Sequence, residues 1–129
     1  MKRTLVALLV LAPLAACNDA STRVSYTVVT GATHDCARAP NASFDASNGT
    51  VAFTGTCERI RVIGGNNKIT IAAAKAVEVT GGNNVVEVEA TDNLKATGPG
   101  NTIRFRKGLT VSKPSIVTTG DNSPIVQMN

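Results

Sequence analysis

Hydrophobic side chains recur along the second half of this chain at fixed places in a seventeen-residue cycle. The cycle is counted from the first glycine of Gly64-Gly65-Asn66-Asn67, of Gly81-Gly82-Asn83-Asn84 and of the degraded Gly98-Pro99-Gly100-Asn101. Five residues on stand Ile69, Val86 and Ile103, and seven on stand Ile71, Val88 and Phe105. Thirteen on, starting one cycle earlier, come Ile60, Val77, Leu94 and Val111, and fifteen on come Val62, Val79 and Ala96. Within each pair of columns apolar and polar positions alternate, as in a strand with one face buried, so every cycle predicts two short strands separated by turns. Helix-turn-helix repeats need periods of about 33 residues or more and are excluded.

If each cycle is one coil of a parallel β-solenoid, like positions stack about 4.8 Å apart and the apolar columns become continuous ladders. The column Asn67, Asn84, Asn101 suits that geometry, because stacked amides hydrogen-bond from coil to coil at a turn. The glycines before them supply positive φ. The predicted fold is all-β: a short parallel β-solenoid of about four coils over residues 58–129, capped by residues 24–57. Within the cap, Val24 to Thr30 reads as a strand and Gly31 to Asn48 as a loop. An antiparallel β-sandwich is the competing architecture, since Gly and Asn also favour hairpin turns. After Val111 the cycle breaks, which predicts a bulge at Ser112 to Ser115 around Pro114, and Ile125 then returns to the five-position column.

The same register makes columns of the charges. Glu87 precedes Arg104, Glu89 precedes Arg106, and Arg61, Glu78 and Lys95 follow one another, as do Glu58, Lys75 and Asp92 in the turn. Signs alternate down each column, which predicts ion pairs between neighbouring strands rather than a reactive site.

The first sixteen residues change the picture of where the protein works. Lys2-Arg3, the apolar run Leu5 to Leu14 and Ala15-Ala16 have the regions of an export signal, and the run is too short to span a bilayer, which needs about 20 residues. Leu14-Ala15-Ala16-Cys17 resembles a bacterial lipobox, which implies cleavage before Cys17 and acylation of that residue, with residues 17–23 as a lipidated tether. The other reading is an ordinary signal peptide cut near Ala16, leaving a free thiol. Of the three cysteines, Cys36 and Cys57 then remain as an even pair in an exported chain, and a disulfide between them is expected. Lys2 and Arg3 leave with the signal, so the formal charge of +4 falls by two and no general attraction to nucleic acid is implied.

The pattern Gly64-x-x-Asn67-x-Ile69, Gly81-x-x-Asn84-x-Val86 and Gly98-x-x-Asn101-x-Ile103, preceded by Phe53-x-Gly55-x-Cys57, resembles the bacterial exported proteins and lipoproteins known as domain of unknown function 3060. That family is marked by a repeated Gly-x-x-Asn-x-Val. The resemblance covers roughly Cys36 to Ile125, Gly120-x-x-Ser123 departs from it, and it implies no activity, substrate or catalytic residue.

The residues themselves point away from chemistry. The calcium-binding nonapeptide repeat is ruled out because Ile69, Val86 and Ile103 stand where it places an oxygen ligand. Glu87, Glu89 and Asp92 with Arg104 and Arg106 offer no carboxylate pair tuned for acid and base work, and the single histidine, His34, lies in the predicted loop and is expected to be solvated. No catalytic, metal or cofactor residue is assigned. The expectation is a non-enzymatic cell-envelope protein, anchored to a membrane through Cys17, whose solenoid is a structural or protein-interaction module. The alternative is a polysaccharide or cell-wall-binding module. Sugar sites usually need exposed aromatic platforms, and the only aromatic in the repeats, Phe105, lies in an inward column.

Overall fold

The computed structural model describes residues 26–129; the expected signal sequence and the whole of the expected tether, Cys17 included, lie outside the described residues. Nine strands run in chain order: β1 (Tyr26–Val28), β2 (Thr33–Asp35), β3 (Asn41–Asp45), β4 (Thr50–Ile63), β5 (Lys68–Thr80), β6 (Val85–Thr97), β7 (Thr102–Lys107), β8 (Ser115–Thr119) and β9 (Ile125–Gln127). Every pairing between them is parallel. The architecture is a β-solenoid of about five turns, and no helix occurs among the described residues. The antiparallel sandwich is thereby excluded: Ile69 lies beside Val86, not opposite Val62.

Each full coil is one long strand bent on itself. In β5 the buried residues step by two at Ile69 and Ile71, by three through Ala74 to Val77, and by two again to Val79. The steps of three turn the chain at Ala74, so both halves of the strand keep their apolar residues on the inside of the coil. The first halves stack as β2, β4, β5, β6, β7 and β9, and the second halves as β1, β3, β4, β5, β6 and β8. Val51, Ile69, Val86 and Ile103 form one ladder, and Ala42, Ile60, Val77 and Leu94 another, all buried.

The turn between coils explains the motif. Asn84 accepts at Oδ1 from the backbone N–H and the side-chain amide of Asn67 (3.1 and 3.0 Å) and donates from Nδ2 to Gly64 O and Asn101 Oδ1, both at 2.9 Å. The first glycine is required twice over. Gly81 has φ of 125°, and a Cβ there would lie 1.9 Å from Gly64 O. The second glycine is not the one that turns: Asn66 and Asn83 take the left-handed conformation instead.

Three expectations are corrected. Residues 31–48, expected as loop, contain β2 and β3, so the solenoid begins well before residue 58 and β4 runs through the expected boundary. The predicted bulge is larger and earlier: residues 108–114 lack strand structure, and β8 starts at Ser115. In consequence Ile116, not Val111, stacks on Leu94, and Val111 is exposed. Ile125 does rejoin its column, beside Ile103.

Candidate binding groove

The outer surface of the second halves carries a groove of about 620 Å³. Its middle column is set by the parallel register Asn41, Arg59, Ala76, Asn93, Ser115. Ala76 is the shortest side chain in that column, so the surface dips over it between Arg59 and Asn93. Glu58 stands on one side, and Glu78, Lys95 and Val117 stand on the other. Crossing five strands at about 4.8 Å each, the groove runs roughly 19 Å along the solenoid axis.

Its charges are held by one another. Arg59 donates to Glu78 at 2.9 Å, Lys95 approaches the other oxygen of Glu78 at 3.9 Å, and Lys75 pairs with Glu58 at 2.8 Å. The hydrogen bond from Arg59 holds the Glu78 carboxyl below the usual carboxylate range, against a partial burial that pushes it up, with Lys95 adding to the lowering. Asn93 donates to Lys75 O at 3.3 Å.

The sequence-derived ladders are placed as follows. Asn67, Asn84 and Asn101 stack as expected, and Ser123 closes the series by accepting from Asn101 N and donating to Gly98 O. Glu87 pairs with Arg104 at 3.8 Å and Glu89 with Arg106 at 2.9 Å, on the opposite side of the molecule from the groove. Arg61 is the correction: it lies beside Glu78 in backbone register, but the carboxylate bonds to Arg59 two residues earlier. Asp92 is another, since it leaves the column of Glu58 and Lys75 to accept from the N–H groups of Leu109, Thr110 and Val111 and from the Thr110 hydroxyl.

Cys36 and Cys57 form the expected disulfide, both fully buried. His34, expected in solvent, is 7% exposed, packs edge-on against Phe53 and makes a 2.9 Å hydrogen bond with Ala39 O. Spacing could not reveal this, because the strand that buries it is three residues long. The groove itself was also missed: nothing in the apolar columns marks Ala76 as a low point between charged neighbours. Among the described residues, no group of three or more His, Cys, Asp or Glu side chains is gathered as a metal site.

No curated protein and no solved structure matches the chain. The model of the family described as protein of unknown function (DUF3060) matches residues 45–88 and again 74–122, in two overlapping passes. Those passes cover more than half of the sequence, and the chain belongs to the DUF3060 family.

Proposed function

We infer that this is an exported, lipid-anchored cell-envelope protein whose solenoid is a non-catalytic module that binds a protein partner along the groove. The observation that carries the reading is the pairing of every groove carboxylate with a cation, Glu58 with Lys75 and Glu78 with Arg59 and Lys95. A general acid or base needs a carboxyl poised near neutral pH, and Glu78 is moved the other way. What remains is a rigid, elongated recess with alternating charge and amide groups, which suits an extended polypeptide carrying polar side chains. Export and anchoring rest on the signal pattern and on Cys17.

A cell-wall polysaccharide in the same groove is the second reading. It is favoured by the amides of Asn41 and Asn93 and the hydroxyl of Ser115 along the middle column, which suit sugar hydroxyls. The test uses Ala76→Tyr, which fills the dip without touching the asparagine ladder or the core. Crosslinking in intact cells followed by recovery of the protein should yield a partner with the parent chain and lose it with Ala76→Tyr. Binding to purified wall polymer, abolished by the same substitution, would select the second reading. Turnover of any envelope substrate that one groove substitution removes would overturn both.

A further inference from the structure

The last coil leaves a strand edge open. β8 lies beside β6 on one side and has no strand on the other among the described residues, and all five of its residues are exposed. Ile116 ends the inward column of Leu94 yet is 41% exposed, and Val117 is 50% exposed. The direction of the free backbone groups follows from the turn. Thr119 O accepts from Gly98 N on the preceding coil, so by alternation Ser115 and Val117 also face that coil, while the N–H and C=O groups of Ile116 and Thr118 face outward. β9 repeats the arrangement. Pro124 O accepts from Ile103 N, and Met128 N donates to Phe105 O, which leaves Ile125 and Gln127 facing outward on either side of Val126.

We propose that this end binds a second copy of the chain, through antiparallel pairing of β8 with β8 about a twofold axis at Val117. The pattern of donors is self-complementary: Ile116 of each copy meets Thr118 of the other as a hydrogen-bonded pair, and Val117 meets itself. The flanking charges complement each other under the same operation. Lys113 and Asp121 lie four residues to either side of Val117, both exposed, and neither has an ion-pair partner among the described residues. The axis brings Lys113 of each copy to Asp121 of the other, twice per dimer. Val126 lies in the column of Glu87 and Arg104 and Val117 in that of Glu78 and Lys95, mid-strand on the two sides of the coil, so one axis serves β9 as well. Pairing would cover Ile116 and extend the apolar core through the interface. The absence of charge within Ser115–Thr119 supports this, since exposed edges that avoid pairing usually carry a charge.

The test uses the full chain purified in detergent, with the Cys36–Cys57 disulfide left intact. Val117→Cys, mildly oxidised, should give a covalent dimer as the single new product, because residues meeting across a non-hydrogen-bonded pair have Cβ atoms about 4.5–5.5 Å apart. Val29→Cys, at the other end of the stack, should stay monomeric, and the unsubstituted chain run alongside shows whatever Cys17 contributes. Lys113→Glu should weaken the dimer by about tenfold at low salt, and adding Asp121→Lys should restore it. Circular dichroism checks that each variant keeps its fold. A monomer at every concentration, a ladder of higher oligomers from head-to-tail stacking, or a charge swap that fails to restore pairing would each overturn the proposal.

Discussion

Asn84 holds four polar contacts in a buried turn, so replacing it by alanine strands the backbone N–H of Asn67 and the carbonyl of Gly64 together. Asn84→Ala should lower unfolding stability by about 3 kcal/mol, measured by denaturant titration, since each orphaned buried group costs about 1–3 kcal/mol. A loss no larger than that of an exposed Thr70→Ala control would show that the ladder is not what joins the coils. The exposed charges carry far less. Glu87→Lys and Arg104→Glu should each destabilise slightly at low salt and the double variant should recover most of the loss, with a coupling of about 0.5 kcal/mol. Arg59→Ala should cost a similar amount while Arg61→Ala costs almost nothing, and the reverse order would contradict the pairing of Glu78 with Arg59. The asparagines were legible because a stacking amide recurs at one fixed spacing. The choice of Arg59 over Arg61 was not, because a long flexible side chain reaches past its own register to a neighbour, and sequence fixes only the register.

At the scale of the element, the segment after β7 depends on Asp92. The Thr110 hydroxyl and the N–H groups of Thr110, Val111 and Leu109 favour the charged form and hold its carboxyl below the usual carboxylate range. With the folded value depressed, the stabilisation is complete above the unfolded value of about 3.9 and is lost as pH falls through the lower folded value. Protection factors at Leu109, Thr110 and Val111, with the intrinsic pH dependence of exchange removed, should therefore fall on acidification below about pH 4 while β5 and β6 stay protected. Asp92→Asn should loosen the same amides already at neutral pH. If their protection is unchanged in both experiments, the carboxylate does not hold the segment. The disulfide is the corresponding device at the other end. Alkylation without reductant should label neither Cys36 nor Cys57, and Cys57→Ser should cost about 3 kcal/mol. β5, β6 and the second half of β4 could be read from the sequence because they repeat at one spacing of 17 residues, while the first half of β4 sits across a register shift between Phe53 and Thr56. β2 and β3 could not, because the coils there depart from it: Asn41 stacks on Arg59 and Thr33 on Ala52, eighteen and nineteen residues on. The same cause misplaced Val111. Five extra residues enter before β8, and an apolar residue inside an insertion looks like one in its column.

On the scale of the whole molecule, the anchoring of Cys17 is open to a direct test. Wild type should follow detergent in phase partitioning and Cys17→Ala should move to the aqueous phase; identical distributions would remove the anchor from the account. The central coils also bear on how such a protein changes over generations. Asn67, Asn84 and Asn101 meet at separations of 17 residues, and each coil rests only on its two neighbours. A copying slip that duplicates the codons for residues 68–84 would therefore hand the solenoid a ready-made layer with every ladder in phase, and lengthen the groove by about 4.8 Å. The loss of a single codon in the same stretch would throw each later side chain onto the opposite face. Variation in this lineage is thus expected to come in whole coils, counted in units of one gene repeat, with small insertions confined to the corners and to the segment after β7.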